Sequence, residues 1–416
     1  APAIVAFTVL LCWKASQWTP TRIHEGEQIV RQEEGPMGTA AVIDTAQGLR
    51  RMVVNGRYTM GDSFSRAAAR RLAFLPAMLG ADAVSRVFVV GLGTGITVGA
   101  VQEFAGLRGA TLDVAEMMPE IARLSSYFSP WQARFGPPPT MHVADGRTVL
   151  RASTSRYDLI ILDVVHPWQP GAASLYSHEA FSLLRERLSP VGRAVVWLPI
   201  FQLSSEATAN IVATFVSVFP RAHLFAGGLD PSRQVLALAS DTAPDVSVDR
   251  AREHLGSSGV LDDPLLSVPG ALAALDLGNA SDVLKQLTAG GRIQSVQIQH
   301  DDRPWLEFES ARAHAEGRRM GAREFQQLLA ASDRAHPSTS RMGVAVTVHH
   351  CLRAIWMDTL DSANEEAEQH LRECFGAPSS RQLARQFAGM MAHRASLAGA
   401  EARARRYELL ADSAPY

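Results

Sequence analysis

The sequence predicts an α/β chain in three parts. A small antiparallel β domain comes first, a seven-stranded nucleoside-binding sheet occupies the middle, and a helical extension follows. Three observations predict this. A strand-forming run, Val87-Phe88-Val89-Val90, enters Gly91-Leu92-Gly93-Thr94-Gly95, and a helical segment and a second apolar strand ending at Glu116 come after it. From residue 86 to 240 strand candidates alternate with helical patterns, which places a mostly parallel sheet between two helical layers. Beyond residue 313 the composition turns to Ala, Arg, Glu and Leu, with helical periodicity and few strand formers.

The glycine turn is the centre of the chain. RVFVVGLGTGITVGAVQEFAGLRGATLD, from Arg86 to Asp113, reads as strand, turn, helix and strand, the first half of a Rossmann-like unit. Glycine is needed where backbone approaches a ligand and a Cβ would collide. An acid about 20 residues past the glycines, here Glu116, stands at the tip of the second strand and can accept both ribose hydroxyls. The spacing is G-x-G-x-G rather than G-x-G-x-x-G. Without the third glycine of the pyrophosphate fingerprint, a compact nucleoside such as S-adenosylmethionine fits better than NAD.

The 416 residues are enough for two or three domains. Charged residues make up 20% and the net charge is −2, so a polyanion-binding surface is not indicated and nucleic acid is not an expected partner. Cys12, Cys351 and Cys374 are too scattered for a disulfide framework or a zinc site. They are expected to be isolated reduced thiols of a cytosolic protein, and no metal is expected.

Residues 1–20 open on an apolar run of about 12 residues, short of the about 20 needed to span a bilayer. The run lacks the basic start of a signal peptide. Trp13, Lys14 and Trp18 look like interfacial anchors, so the segment reads as the last turns of a transmembrane helix, with a buried helix as the other reading. Residues 21–62 alternate and are broken by turns, with Asn55-Gly56 as a tight hairpin turn; they form the small β domain. Residues 63–312 are the Rossmann-like catalytic domain. It starts with a helix over 63–80 that stops at Gly80. Its strands are VFVVG, TLDVAEM, TMHVAD, YDLIILD, AVVWLPI, RAHLFAG and VLALAS, the last two forming an antiparallel edge hairpin. A helical insert over 245–295 and the polar strip HDDRPWLEFESAR, 300–312, complete it. Residues 313–416 are the helical extension, with paired helices, a linker near His336 to Ser340 and a scaffold or oligomerisation role.

Ligands of open α/β sheets bind outside the carboxyl ends of the strands. Gly91, Gly93, Thr94 and Gly95 follow the first strand of the sheet and Glu116 ends the second. Asp145-Gly146 follows the third. There Asp145 either accepts from an adenine amino group, with Gly146 giving clearance, or caps the helix that starts near Thr148. Asp163 follows the fourth strand behind four apolar residues, a setting that tunes a carboxylate for accepting a proton. His166 lies in the next loop, where Trp168 and Tyr176 are placed to wall a substrate pocket.

GLGTG, Glu116, VADGR, YDLIILD with HPWQPGAASLYSHEAF, and LSPVGRAVVWLP together resemble the spermidine synthase family, most of all the bacterial spermidine synthase-like proteins fused to a membrane domain. VNGRYTMGD and DDRPWLEFESAR carry the same resemblance, which covers roughly residues 27–312. It implies transfer of an aminopropyl group from decarboxylated S-adenosylmethionine to an amine acceptor, leaving methylthioadenosine, with no metal. Carried over by position, Gly91, Gly93 and Gly95 line the co-substrate, Glu116 holds the ribose, Asp145 the adenine edge, and Asp163 is the base. Tyr58, Asp62, Trp168 and Tyr176 fall on the acceptor side, where Asp301 and Asp302 either supply acids lost from the loop or form a surface turn that pairs with Arg303. The resemblance also implies a homodimer, and a cytoplasmic location as the soluble domain of a membrane-anchored protein.

The chain departs from the family on the acceptor side. The family's loop after the fourth strand reads D-S-x-D-P, whereas here it reads Asp163-Val164-Val165-His166-Pro167, so a histidine replaces the second acid. The Tyr/His/Glu cluster before the sheet is absent, and a position that carries glutamine in the family is Thr59. A dication needs a negative partner at both ends. The nucleoside half is intact and the diamine half is altered. Three readings follow: a spermidine synthase-like transferase, with His166 shaping the acceptor pocket; a methyltransferase or an S-adenosylmethionine-cleaving or cyclising enzyme on the same sheet; and a non-catalytic nucleoside-binding scaffold.

Overall fold

The computed structural model describes residues 21, 23–56, 58–62, 67, 69–71, 84–106, 110–131, 138–163, 166, 167, 169, 171–229, 236–240, 274–289, 293, 295–335, 344–358, 364–376 and 378–413. The apolar segment 1–20, most of the expected helix 63–80, Trp168, residues 245–273 of the expected insert and the expected linker lie outside them.

The first unit is a four-stranded antiparallel sheet in the order β1-β2-β3-β4, made of β1 (Gln28–Gly35), β2 (Gly38–Asp44), β3 (Arg50–Val54) and β4 (Tyr58–Asp62). Asn55 and Gly56 both take positive φ, 52° and 61°, as a two-residue turn between right-twisted strands requires. Asn55 also accepts the Thr39 amide through its side-chain oxygen at 2.9 Å. Alternation gives β2 and β3 an apolar face, and Ala40, Val42, Met52 and Val54 pack there against Met118, Ile121, Leu124 and Phe128. The sheet therefore docks on the segment that follows Glu116. The Arg123–Glu33 ion pair, at 2.6 Å, lies at the same junction.

The second unit is an eight-stranded mixed sheet in the order β12-β10-β11-β9-β8-β5-β6-β7. Its strands are β5 (Arg86–Val90), β6 (Thr111–Glu116), β7 (Thr140–Val143), β8 (Tyr157–Leu162), β9 (Leu188–Leu198), β10 (His223–Ala226), β11 (Leu236–Ala239) and β12 (Asp276–Asn279). Strands β5 to β9 pair in parallel, and β10 pairs antiparallel with both β11 and β12. Val87, Phe88, Val89 and Val90 are buried, as expected for a central strand covered on both faces. Among the described residues the sheet has one strand more than the seven expected. Strand β12 is only four residues long and holds Gly278 at φ 100°, so it carries no period-2 signal that separates it from the helix after it.

Helices α1 (Ile96–Gly106), α2 (Pro119–Leu124), α3 (Gly146–Ala152), α4 (His178–Arg187), α5 (Ser205–Val218) and α6 (Ala280–Ala289) connect or cover the strands. Ser177 and Ser204 cap α4 and α5, each accepting a backbone amide at 3.1 Å. Most of the polar strip is helical, as α7 (Trp305–Ala315).

The extension continues with α8 (Ala322–Ala335), α9 (Val344–Met357), α10 (Asn364–Phe375), α11 (Arg381–Leu397) and α12 (Glu401–Ser413). It shares one core with the sheet. Trp356 is fully buried, stacks edge-on against Phe325 at 5.4 Å, and donates its indole N–H to the Gly228 carbonyl at 3.0 Å.

The expectation of isolated thiols is corrected here. Cys351 on α9 and Cys374 on α10 form a disulfide with Cα atoms 4.9 Å apart. Helix pairing, invisible in the spacing of 23 residues, brings them together. The bond removes the argument from free thiols for a reducing compartment. Among the described residues no helix is long and apolar enough to cross a membrane.

Candidate active site

Strand order reverses between β5 and β8: the chain leaves β5 toward β6 and β7 on one side, and runs from β8 to β9 on the other. Such a switch point opens a crevice at the carboxyl ends of the two strands. The glycine turn leaves β5 there and Asp163 leaves β8. The Asp163 amide donates to the Val90 carbonyl at 2.9 Å, and the Gly91 amide donates to the Ala115 carbonyl at 2.9 Å. The three strand ends are thus tied together at one level.

Gly91 has φ 96°, and a Cβ there would collide with the backbone carbonyl of Asp163. Gly93 has φ 53°, and a Cβ there would meet nothing within 4 Å, so its surface is open to a ligand. At Gly146 a Cβ would stand 2.6 Å from Val90 Cγ1, so that glycine serves the close packing of α3 on β5.

Glu116 is only 6% exposed. It accepts the Met118 amide at 2.9 Å through Oε1 and the Leu92 amide at 3.1 Å through Oε2. Burial pushes its carboxyl above the ordinary range, and the backbone amides oppose that rise. The side chain therefore holds the glycine loop to the tip of β6 while lying at the crevice.

Asp145 is the N-cap of α3, with Oδ1 accepting both the Thr148 amide and the Thr148 hydroxyl at 2.8 Å. The helix starts at Gly146, two residues earlier than expected. Oδ1 is thus committed to the cap, and Oδ2 has no hydrogen bond among the described residues.

Burial pushes the Asp163 carboxyl up to about 6, the Glu116 charge adds to the rise, and a hydrogen bond from Thr97 opposes it. Its Oδ1 is buried with no hydrogen-bond partner among the described residues. A proton acceptor that is desolvated, poised near neutrality and fixed at a strand tip suits general-base work.

His166 is buried, and its Nδ1 lies 2.8 Å from the Gln202 side-chain oxygen, an acceptor. Nδ1 therefore carries the hydrogen in the neutral ring, which makes Nε2 the acceptor. Tyr176 is fully buried, with its hydroxyl donating to the Trp197 carbonyl at 3.2 Å. Burial and the neighbouring Asp163 charge push its phenol far above the usual range. It supports the strand tip from within the core.

Asp301 meets Arg147 in a two-pronged ion pair, 2.9 and 2.6 Å. The Asp301 amide also donates to Glu179, whose other oxygen meets His300 at 2.8 Å. The strip before α7 is thereby clasped onto α3 and α4. Asp302 is exposed. Tyr58 and Asp62 lie on β4, and their side chains, like Trp168, fall outside the described residues. The structure thus gathers Gly91 to Gly95, Glu116, Asp145-Gly146 and Asp163 at four neighbouring strand ends. It adds Thr97, Arg147 and Gln202, which the sequence reading missed. Their partners lie 66, 154 and 36 residues away in the chain, beyond the reach of any local motif.

No protein-family model matches the chain. Polyamine aminopropyltransferase 2 of Pseudomonas aeruginosa is 31% identical over 188 residues, which is 44% of this chain and 53% of that protein. Polyamine aminopropyltransferase 1 of Streptomyces coelicolor is 35% identical over 117 residues, 27% of this chain and 22% of that protein. The chain spans about half or less of the length of these two curated relatives. Among solved structures, spermidine synthase from Thermotoga maritima aligns with a TM-score of 0.47 at 16% identity, covering 56% of this chain and 79% of that one. Over these stretches the chain is similar in sequence to proteins named polyamine aminopropyltransferase.

Proposed function

We propose that the chain is an aminopropyltransferase-like enzyme that binds S-adenosylmethionine or its decarboxylated form and transfers an alkyl group to an amine, with Asp163 as base. The observation that carries this reading is the desolvated Asp163 carboxylate at the switch point, beside an intact glycine turn. In the proposed site Gly91 to Gly95 pass under the sulfonium side chain, Glu116 accepts the ribose hydroxyls and Asp145 Oδ2 faces the adenine edge. A neutral amine attacks the carbon bonded to sulfur. The C–N bond forms, the C–S bond breaks with its electron pair going to sulfur, and the amine proton passes to Asp163. The sulfonium is already a good leaving group, so alignment and deprotonation supply the catalysis.

One observation favours a second reading. His166 is engaged by Gln202, and Arg147 neutralises Asp301. Among the described residues, Asp163 then faces an acceptor side with few negative partners for a dication, which suits base-promoted breakdown of S-adenosylmethionine without an acceptor. Calorimetric titration of S-adenosylmethionine, its decarboxylated form and methylthioadenosine tests the choice. Tighter binding of the decarboxylated form supports aminopropyl transfer. Tighter binding of the parent sinks it in favour of methylation or breakdown.

A further inference from the structure

Away from the sheet, α9 and α10 bring three ligand-type side chains to one point. His350 Nδ1 lies 2.8 Å from His370 Nδ1 and 2.6 Å from Glu373 Oε2, and His370 Nδ1 lies 3.6 Å from the same oxygen. His370 and Glu373 are three residues apart on one face of α10, and His350 meets them from α9. These groups do not satisfy one another. The carboxylate only accepts, and a neutral imidazole holds a single N–H, so the Nδ1–H of His350 cannot serve both close neighbours well.

We infer that His350, His370 and Glu373 form a binding site for a zinc-type divalent transition-metal ion. Two imidazoles and one carboxylate are a zinc ligand set that leaves a fourth position open. Ligand atoms about 2.1 Å from a tetrahedral ion stand about 3.4 Å apart, and the observed separations bracket that value. Small side-chain rotations are enough to admit the ion. The side chains are 22%, 24% and 40% exposed, which leaves a route for the metal and room for a water ligand.

The surroundings prepare the site. Gln369 donates to Glu373 Oε1 at 3.2 Å and so turns Oε2 toward the histidines. The Cys351–Cys374 bond joins the residues that directly follow His350 and Glu373, which pins the two helices at this level. Arg353 pairs with Asp333 and donates to the Leu329 carbonyl, which offsets its charge near the site. His178, Glu179 and His300 also converge, but there Glu179 Oε2 accepts the Asp301 backbone amide and serves the clasp on the strip.

The test is a cobalt(II) titration of the metal-stripped, tag-free full chain, read by visible ligand-field absorption, followed by zinc displacement. The expected result is one tetrahedral cobalt per chain, displaced by zinc. The signal is lost in His370→Ala and in Glu373→Ala and kept in His393→Ala, an exposed histidine on α11. Gln369→Ala weakens binding by about tenfold. Circular dichroism establishes that each variant folds, and His370→Gln replaces His370→Ala if the latter does not. Absence of a tetrahedral signal in the wild type, or its survival in the folded His370 and Glu373 variants, overturns the inference.

Discussion

The backbone carbonyl of Asp163 occupies the space that a Cβ on Gly91 would need. The residue proposed as base and the first glycine of the turn therefore constrain each other directly, although they follow different strands. Gly91→Ala forces a φ of 96° on an L side chain and pushes the β8 tip away. It is expected to destabilise the fold by more than about 3 kcal/mol. Gly93→Ala meets no atom and is expected to lose only about 1 kcal/mol, while weakening nucleoside binding. Urea denaturation of the two variants measures the contrast. Equal losses would contradict it.

Asp163 is expected to be held at a cost in stability. Its carboxyl sits at about 6, against an ordinary value of 3.8, because it is buried and faces the Glu116 charge. The folded chain then binds this proton more tightly than the unfolded chain does. The resulting stabilisation is complete below about pH 4 and is lost as pH rises through about 6. Asp163→Asn removes the buried charge. It is expected to raise the unfolding free energy at neutral pH by up to about 3 kcal/mol, with the gain vanishing below about pH 4. Denaturation at both pH values reads this directly, and a gain independent of pH would count against it.

The Arg147–Asp301 pair is expected to behave as an acid-labile clasp. Arg147 holds the Asp301 carboxyl below the usual range. Its contribution is therefore present above the unfolded pKa and is lost as pH falls through the depressed folded value. Asp301 is 40% exposed, so a double-mutant cycle with Arg147→Ala and Asp301→Ala is expected to show a coupling of only about 1 kcal/mol at neutral pH. No coupling at neutral pH would mean that the strip is held by other contacts.

Reduction of the disulfide is expected to loosen the helical extension. Closing a loop over a separation of 23 residues restricts the unfolded chain by an amount worth about 3 kcal/mol. Thiol labelling of the unreduced, unfolded chain should leave Cys351 and Cys374 unmodified. Reduction should then lower the denaturation midpoint. Labelling of both cysteines without reductant would contradict the assignment.

What was legible in the sequence was local. The glycine turn, the acid at Glu116, the strand before Asp163 and the Asn55-Gly56 turn each announce themselves within a few residues, because backbone sterics and strand alternation act at that range. Asp145 had two readings, and the cap geometry at Thr148 shows that at least Oδ1 serves the helix. The settings of His166 and Asp301 were not legible. Gln202 comes from the turn after β9, and Arg147 reaches Asp301 only because α3 and the strip before α7 lie side by side. Strand β12 was too short to show a period, and the cysteine pair required knowing that α9 packs on α10.

The most direct test of the account is methylthioadenosine release from decarboxylated S-adenosylmethionine across a panel of amines, by wild type and Asp163→Asn. The account predicts amine-dependent release by the wild type, rising with pH through about 6 as Asp163 ionises, and at least about a hundredfold slower release by the folded Asp163→Asn chain. Release that is independent of amine, or undiminished by the substitution, would contradict Asp163 as the base of an alkyl transfer.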